Sequence, residues 1–480
     1  MKETVYMKTY RNFLLESKKK VWLFSLTKNT MLTKHTFETL CLSKPTTVKI
    51  LEQLYTHMTK IQSVGIPFQI CGFDLLGSAR TGSGKTVAFS VPIIEFVYTI
   101  KWSNANGTAA IVLSPTRELT LQSYYVMRDL LIFHSYSYGI IMGGANRKTE
   151  EERIKKGITV LVATPGRLLD HLKNTQSFIY SNLQLLVIDE ADRCLEIGFE
   201  DEIYEIINML PKDRQTILFS ATQTQNTEKL SMVSFQKRPI YLGVDDELEV
   251  NWIPEIEQNF LVCSPEDRFV LLLSILKKKK NDKIIVFFSS CNEVKFFSNL
   301  AKLINTNVLE LHGKQKQFKR TSVFFEFCKA KSAILFCTDI AARGLDIPSI
   351  DWIFQADAPL EFNEYFHRVG RTSRGIDNKG KSLIFFLHSE LGFLKFLKQK
   401  KIKISEYKFP MKEWTVLHHK ISSLVEKNHF LNKLSKEAFK SFVNSYSSSS
   451  LRGIFDLKKI NICSLSKSFG LTVTPNFYSN

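Results

Sequence analysis

The sequence has no apolar run long enough to span a membrane and no pair of cysteines at CxxC spacing. A transmembrane helix needs about 20 consecutive apolar residues, so we expect no membrane-spanning segment. The eight cysteines are scattered, with no histidine nearby at metal-ligand spacing. This pattern predicts buried thiols in a reduced intracellular compartment. Residues 1–20 lack a long apolar core followed by a cleavage site, so we expect no secretory signal.

Acidic residues are in the minority: 47 Asp and Glu face 65 Lys and Arg, for a formal net charge of +18. Clustered basic residues bind phosphate backbones and release counterions, which favours a polyanionic partner such as a nucleic acid. A general gain in solubility remains the alternative explanation of the charge.

The chain has 480 residues, of which 44% are hydrophobic and 23% charged. These values are typical of a globular protein with two or three domains.

Short apolar runs recur along the chain and predict strands buried on both faces of parallel sheets. The ten candidate strands are Phe73–Leu76, Ala110–Leu113, Val160–Ala163, Leu185–Ile188, Thr216–Phe219, Ile284–Phe288, Val308–Leu311, Ala333–Cys337, Trp352–Phe354 and Leu383–Leu387. Amphipathic stretches such as Leu119–Ile132 and Arg268–Leu276 are typical of the helices between such strands. The pattern therefore predicts the α/β class, with two domains of this layout.

Polar motifs follow several of these strands directly. They are Gly77–Thr86, Ser114–Leu119, Thr164–Arg167, Asp189–Asp192 and Ser220–Thr222. Open α/β sheets bind ligands outside the carboxyl ends of their strands. We therefore expect the functional residues to gather at that edge of each sheet.

Composition divides the chain into five parts. We predict a short N-terminal extension (1–36), a first domain (37–243), an acidic linker (244–258), a second domain (259–400) and a C-terminal extension (401–480). Apolar residues recur at helical spacing in the last part: Ile421, Leu424, Val425, Leu431, Leu434, Ala438, Phe439 and Phe442. This stripe predicts helices that pack on the second domain, before a serine-rich turn at 445–450. Docking to a partner protein and guiding RNA are the alternatives.

The segment Ala79–Thr86 is typical of a phosphate-binding loop. Gly82 and Gly84 allow the backbone N–H groups to point at phosphates, Lys85 adds positive charge, and the Thr86 hydroxyl can ligate Mg²⁺. Asp189 and Glu190 follow a predicted buried strand, where an Asp commonly holds Mg²⁺ through water and a Glu activates the attacking water. An acidic helix N-terminus is the alternative interpretation of these two carboxylates.

Together these motifs resemble those of the DEAD-box ATP-dependent RNA helicases over roughly residues 37–400. The resemblance implies two tandem RecA-like domains with central parallel sheets flanked by helices, plus a C-terminal helical extension. It implies ATP and Mg²⁺ as cofactors, with an aromatic residue stacking on adenine and Gln62 bonding the edge of the base. The implied ATP-binding residues are Phe37, Tyr55, Gln62, Ala79, Arg80, Thr81, Gly82, Ser83, Gly84, Lys85, Thr86, Gly344 and Asp346. Leu54 departs from the family, which usually has Gly before the aromatic residue.

The same resemblance assigns catalytic and RNA-binding roles. Implied catalytic residues are Lys85, Asp189, Glu190, Arg371 and Arg374, with Mg²⁺ held by Thr86 and Asp189 largely through water. Implied RNA contacts are Pro115, Thr116, Arg117, Gly143, Gly144, Thr164 and Arg167 in the first domain, and Ser289, His312, Gly313, Gln317, Arg320, Thr338 and Asp339 in the second. Ser220, Ala221, Thr222 and His367 would couple hydrolysis to strand separation. A satisfied core histidine is the alternative for His367.

Segments outside the shared motifs are similar to the nucleolar HAS-type branch of this family, which acts in large ribosomal subunit assembly. These segments are Cys194–Asp201, His312–Gln317, Ala438–Tyr446, Ser450–Phe455 and Lys467–Gly470. The branch usually has a long charged extension where this chain has residues 1–36. The similarity implies a monomer that works in the nucleus and nucleolus on pre-rRNA, with ribosome assembly factors as partners and no membrane. Two alternatives are an ATP-gated RNA clamp or scaffold that needs no turnover, and a DNA-directed helicase.

Overall fold

A computed structural model describes residues 32–79, 82–220, 225–243, 256–339, 347, 350–372, 380–408 and 415–476. The chain divides into two compact units, Met1–Val250 and Asn251–Asn480. Each unit contains a seven-stranded parallel sheet with helices around it, which confirms the predicted fold class. Among the described residues, no helix is both long and apolar enough to cross a membrane.

The first unit is built on strands β3 to β9, with a separate two-stranded ribbon formed by β1 and β2. The strands are β1 (Leu32–Thr36), β2 (His57–Thr59), β3 (Leu75–Ser78), β4 (Ala110–Leu113), β5 (Tyr138–Ile141), β6 (Val160–Ala163), β7 (Leu185–Ile188), β8 (Gln215–Ser220) and β9 (Ile240–Gly243). The helices are α1 (Lys44–Glu52), α2 (Lys60–Ile70), α3 (Lys85–Thr99), α4 (Arg117–Leu130), α5 (Arg147–Lys155), α6 (Pro165–Asn174), α7 (Ala191–Glu196), α8 (Glu200–Met209) and α9 (Gln225–Ser234). The sheet order is β5-β6-β4-β7-β8-β3-β9.

The second unit repeats this layout. Its strands are β10 (Glu257–Cys263), β11 (Lys283–Phe287), β12 (Leu309–Leu311), β13 (Ala333–Cys337), β14 (Trp352–Gln355), β15 (Lys381–Leu387) and β16 (Ile404–Glu406). Its helices are α10 (Arg268–Lys278), α11 (Cys291–Leu303), α12 (Gln317–Lys329), α13 (Phe362–Val369), α14 (Leu391–Gln399), α15 (Thr415–Lys427), α16 (His429–Ser447) and α17 (Ile462–Ser468). The sheet order is β12-β13-β11-β14-β15-β10-β16.

All ten predicted strands exist, because the central strands of both sheets are runs of Val, Ile, Leu and Phe buried on both faces. The expectation of buried thiols holds for three of the eight free cysteines, Cys194, Cys263 and Cys337, whereas Cys41 and Cys463 are exposed. Cys194 and Cys337 pack in hydrophobic cores of the first and second unit. Lys277 and Lys278 are the last two residues of helix α10. Three of the four side chains in the run Lys277–Lys280 are exposed.

Three predicted domain boundaries lie within or between strands that pair with each other. Strand β10 begins at Glu257, inside the predicted linker, because this residue pairs with Lys381 in the ladder to β15. The boundary at residue 400 cuts the second sheet, since β16 pairs with β10. The N-terminal boundary at residue 36 separates β1 from its partner β2. The last helix of the apolar stripe also continues to Ser447, three residues into the predicted serine turn.

The C-terminal helices pack into the core of the second unit, as the apolar stripe predicts. Helix α16 lies against α11, and its buried residues include Leu434, Phe439 and Phe442. The Phe469 ring lies 5.4 Å from the Phe297 ring of α11, and the Ser435 hydroxyl donates to the Phe469 carbonyl oxygen. The extension is therefore part of the second unit and shares its core.

Candidate functional site

Sheet order separates two groups of candidate residues along one edge of the first sheet. The phosphate loop follows β3, Asp189 follows β7, and Ser220 ends β8. These three strands are neighbours. The candidate RNA contacts follow β4, β5 and β6, which form the other half of the same sheet. Because the carboxyl ends of parallel strands share one edge, the candidate nucleotide residues and the candidate RNA residues lie side by side along it.

The phosphate loop is held from within the first unit by two buried side chains. The Gln62 amide nitrogen donates to the Gly84 carbonyl oxygen over 3.1 Å, and its oxygen accepts from the Thr59 N–H over 2.9 Å. The Lys85 ammonium group donates to the Ala79 carbonyl oxygen over 3.1 Å. Helix α2, which carries Gln62, thus positions the loop. Gln62 keeps one amide hydrogen and one oxygen lone pair for a base.

Asp189 and Glu190 lie at the end of β7 and are almost fully buried. Burial raises the pKa of Asp189 to about 6; the Lys85 charge opposes the rise, and the neighbouring carboxyls of Glu190 and Asp192 add to it. Glu190 has φ 48°, a left-handed conformation that a non-glycine residue rarely adopts. Three carboxyls beside one lysine leave an excess of negative charge.

That excess fits a divalent cation, since hard oxygen ligands are what Mg²⁺ prefers. The Thr86 hydroxyl and the Asp189 carboxylate are the groups that can hold it. The described residues contain no cluster of three or more His, Cys, Asp or Glu arranged to hold a metal ion. A Mg²⁺ ion held by these two oxygens would take its other ligands from water and phosphate, as is usual for Mg²⁺ in nucleotide sites.

The two candidate adenine-stacking residues differ in exposure. The Phe37 ring is only 2% exposed and belongs to the hydrophobic core, whereas Tyr55 is 37% exposed. Their ring centroids lie 6.5 Å apart. Tyr55 is therefore the more solvent-accessible of the two rings, and Phe37 lies beside it on the core side.

The first RNA candidates form one continuous surface. The Arg117 guanidinium lies against Gly143 and Gly144, so close that a side-chain carbon on Gly144 would come within 2.6 Å of it. The Thr164 hydroxyl accepts from the Gly143 N–H over 3.4 Å. Thr116 caps α4 by accepting from the Leu119 N–H, and Pro115 before it is buried. Residues from β4, β5 and β6 thus meet as the sequence motifs predict.

Arg167 has a different environment from the other candidates. Its guanidinium pairs with the buried Glu150 carboxylate and donates to the Ala145 carbonyl oxygen. Burial acts to raise the pKa of Glu150, but hydrogen bonds from His171, the Met142 N–H and Arg167 outweigh it and lower the pKa. This geometry makes Arg167 a positioning residue for the loop after β5.

The second unit places its RNA candidates after β11, β13 and β12, which are adjacent strands. The Ser289 N–H donates to the Asp357 carboxylate over 2.9 Å. His312 is buried, which lowers its pKa. The buried His312 Nδ1 and Thr338 hydroxyl have no hydrogen-bond partner within the described chain. A cavity of about 200 Å³ borders Ser289 and Asp339, and the serine turn of the C-terminal extension forms its other wall.

Arg368 is a residue that the motif comparison missed. Its buried guanidinium binds both oxygens of the Asp339 carboxylate at 2.6 Å and donates to the Asp357 carbonyl oxygen. The Asp339 charge raises the pKa of Arg368 against the effect of burial. Asp339 is therefore held by an ion pair within its own unit. Arg368 lies within the segment that holds Arg371, but no local pattern indicates its partner Asp339, which lies 29 residues earlier.

Arg371 and His367 lie together at the end of α13. The Arg371 Nε donates to the His367 carbonyl oxygen over 3.1 Å, and Arg371 is 2% exposed.

Gln317 and Arg320 share one face of the first turn of α12, and the Gln317 amide donates to the Thr321 hydroxyl. Seven candidates lie outside the described residues: Arg80, Thr81, Ala221, Thr222, Gly344, Asp346 and Arg374.

Comparison with known families and proteins matches this arrangement along most of the chain. The family described as "DEAD/DEAH box helicase" matches residues 59–230, and "Helicase conserved C-terminal domain" matches residues 267–375. ATP-dependent RNA helicase HAS1 of Pyricularia oryzae is 52% identical over 439 residues, which cover 92% of this chain and 75% of that protein. The chain belongs to the DEAD-box family of ATP-dependent RNA helicases. The HAS1 helicase of Saccharomyces cerevisiae is 49% identical over 440 residues, covering 92% of this chain and 87% of its own.

Two further matches concern the helicase's C-terminal part and its fold. The family described as "ATP-dependent rRNA helicase SPB4-like, C-terminal extension" matches residues 428–477, which include α16 and α17. The solved structure of Mss116p bound to single-stranded RNA and AMP-PNP superposes with a TM-score of 0.82 at 27% identity. The superposed residues cover 93% of this chain and 92% of the Mss116p chain. The tandem RecA-like fold of DEAD-box helicases therefore extends over the chain, with the C-terminal helices added to it.

Proposed function

We propose that this DEAD-box helicase is an RNA-stimulated ATPase that separates short RNA duplexes or remodels ribonucleoprotein during pre-rRNA processing and large ribosomal subunit assembly. The observation that supports the proposal is that the candidate ATP-binding and RNA-binding residues follow neighbouring strands and occupy adjacent halves of one sheet edge. Similarity to HAS1 helicases and to an rRNA-helicase extension supports the ribosomal role. We propose the nucleus and nucleolus as its location, and pre-rRNA and assembly factors as its partners.

The first unit would bind ATP and prepare the attacking water. Lys85 and the loop N–H groups would hold the β- and γ-phosphates, and Tyr55 and Gln62 would hold the adenine. Thr86 and Asp189 would hold Mg²⁺, which when bound neutralises the charge that develops on the phosphates. Glu190 would orient and activate water, and its buried, left-handed position fixes the carboxylate at the end of β7.

The second unit would supply the arginines. Arginine charge at a phosphoryl transition state contributes on the order of 10³–10⁵ in rate. If Arg371 and Arg374 act on a γ-phosphate held by the first unit, hydrolysis requires both units to act on one nucleotide. RNA that binds both units would favour this state, and by linkage ATP would tighten RNA binding. Hydrolysis would then release the RNA.

The RNA contacts would read backbone and ribose. Glycine N–H groups, helix N-termini and arginines recognise phosphates, and they carry no sequence information. Low intrinsic sequence specificity is therefore expected, so target choice would depend on assembly partners. Crosslinking and sequencing of bound RNA is expected to recover pre-rRNA.

The test is RNA-stimulated ATP hydrolysis by the full chain. Lys85→Ala and Glu190→Gln are each expected to reduce the stimulated rate at least 100-fold, because they remove phosphate binding and water activation. Glu196→Gln is the matched control: Glu196 is the last residue of α7, the helix that begins directly after Glu190, and it is exposed and pairs with Arg193. Wild-type rates in the Lys85 or Glu190 variants would disprove the site. Better stimulation by DNA would favour a DNA helicase, and full activity of Glu190→Gln in cells would favour an RNA clamp.

A further inference from the structure

Phe318 is the most exposed large apolar side chain among the described residues, at 87%. No aromatic ring in the described chain stacks on it. A single exposed phenylalanine is common on protein surfaces and has no meaning by itself. Its position on helix α12 and its charged neighbours distinguish Phe318 from such a residue.

Phe318 lies on the first turn of α12, directly after the loop that connects β12 to this helix. Gln317 and Arg320, the proposed backbone contacts, are three residues apart and share one face of the helix. Phe318 projects about 100° around the helix from Gln317, because α-helices have 3.6 residues per turn. The ring therefore flanks the proposed backbone contacts without covering them.

The surroundings of Phe318 are basic. Lys314, Lys316 and Lys319 are exposed, and the segment from Gly313 to Arg320 contains no acidic residue. Lys314 donates to the Asn292 side-chain oxygen, and Lys319 pairs with Glu310 while remaining 57% exposed. An exposed ring within a row of cations suits a polyanion with aromatic bases better than an apolar protein pocket.

We propose that Phe318 stacks on a nucleobase of the strand whose backbone is held by Gln317 and Arg320. This inference rests on the proposed function, because it needs RNA on that edge of the second sheet. It adds a base contact to a surface whose other proposed contacts are to phosphate and ribose. Stacking accepts any base, so affinity rises without sequence selectivity.

The experiment measures binding of a short oligoribonucleotide by the full chain with Mg²⁺ and AMP-PNP. Phe318→Ala is expected to raise the Kd for the oligoribonucleotide at least 5-fold, since stacking contributes roughly 1–3 kcal/mol per base. Phe318→Trp is expected to restore binding. Phe430→Ala is the matched control, because Phe430 is also exposed, at 56%, but lies on α16.

Abasic RNA separates stacking from other causes of weak binding. When the bases are removed, wild type and Phe318→Ala are expected to bind equally. A 2-aminopurine moved along the RNA should be quenched at one position by the wild type and at none by Phe318→Ala. Unchanged RNA affinity of Phe318→Ala would overturn the inference and leave a protein-docking role for the ring. A wild-type chain that binds no RNA would instead overturn the proposed function.

Discussion

Gly84 is a residue at which backbone conformation and packing both exclude a side chain. Its φ is +87°, and a Cβ there would lie 2.5 Å from the Gln62 amide nitrogen and 3.1 Å from the Thr59 hydroxyl. We expect Gly84→Ala to displace Gln62 from the phosphate loop, and so to raise the KM for ATP at least 10-fold. The measurement is ATP hydrolysis as a function of ATP concentration.

Gly72→Ala is the control for backbone strain. Gly72 has φ +80° and nothing within 4 Å of the position of a Cβ. The substitution should reduce the free energy of unfolding by about 1–2 kcal/mol, the cost of a left-handed residue with a side chain, and leave the KM unchanged. An equal KM in the two variants would show that contact with Gln62 does not control the loop.

Glu390 is a residue whose titration should affect the stability of the second unit. Burial raises the pKa of this carboxyl to about 7, although the Arg268 charge and the Leu387 N–H oppose the rise. Asp357 and Tyr446 also face it. The pKa in the folded chain is above the unfolded value of 4.5, so the folded state holds the proton more tightly. This contribution to stability is present below about pH 4.5 and is lost as the pH rises through 7.

Glu390→Gln should remove this pH dependence, because an amide keeps the acceptor oxygen and does not ionise. The wild type is expected to lose on the order of 2–3 kcal/mol relative to the variant between pH 4.5 and 7.5, taking about 1.4 kcal/mol per pKa unit. Urea unfolding across this pH range measures the difference. Parallel curves for the two proteins would contradict the assignment.

At the scale of secondary-structure elements, α16 is the link between the C-terminal extension and the second sheet. Its buried Phe442 ring lies 4.8 Å from the Arg268 guanidinium, and Arg268 pairs with Asp357 at 3.0 Å. Asp357 in turn accepts from the Ser289 N–H. The extension therefore supports, through two side chains, a loop that we propose to contact RNA.

Phe442→Ala is expected to lower the free energy of unfolding of the second unit by about 3–5 kcal/mol, the usual cost of truncating a buried phenylalanine. Phe430→Ala, on the same helix but exposed, should cost less than about 0.5 kcal/mol. Urea denaturation of both full-length variants provides the comparison. If the two variants unfold at the same urea concentration, α16 does not contribute to the core.

The elements also show which parts of the fold were predictable from sequence. Central strands such as β4 and β7 are apolar at every position, because helices cover both faces of the sheet. Strands β5, β9 and β16 were not predicted, since they are partly exposed strands at the edges of the sheets. The interior strand β10 was also not predicted, because it begins with the polar residues Glu257, Gln258 and Asn259. The short ribbon of β1 and β2 depends on a pairing that no local pattern indicates.

For the site, motif order predicted which residues would gather at the sheet edges. It did not predict how they are held in place. The bridge from Gln62 to Gly84 and the ion pair between Arg368 and Asp339 join segments that are far apart in sequence. Such contacts depend on the finished packing of helices on the sheet, so neither spacing nor composition indicates them.

At the scale of the whole molecule, the net positive charge is concentrated in the second unit, because acidic residues are fewer there. Residues 251–480 contain 36 of the 65 Lys and Arg but 21 of the 47 Asp and Glu. Most of the net charge of +18 therefore belongs to the second unit, which also carries the basic loop before α12. We expect RNA affinity to fall steeply as salt is added, because each neutralised phosphate releases counterions.

Salt dependence distinguishes charge from stacking at this loop. Lys316→Ala should weaken RNA binding and reduce the slope of log K against log salt by about 0.7, the value for one phosphate contact on a single strand. Phe318→Ala should weaken binding by a constant factor at every salt concentration, because stacking on a base releases no counterion. Titrations between about 50 and 300 mM salt, a range over which the Debye length shortens roughly two-fold, measure both slopes. A reduced slope for Phe318→Ala would mean that the ring acts by positioning the lysines, since only a change in phosphate contacts alters counterion release.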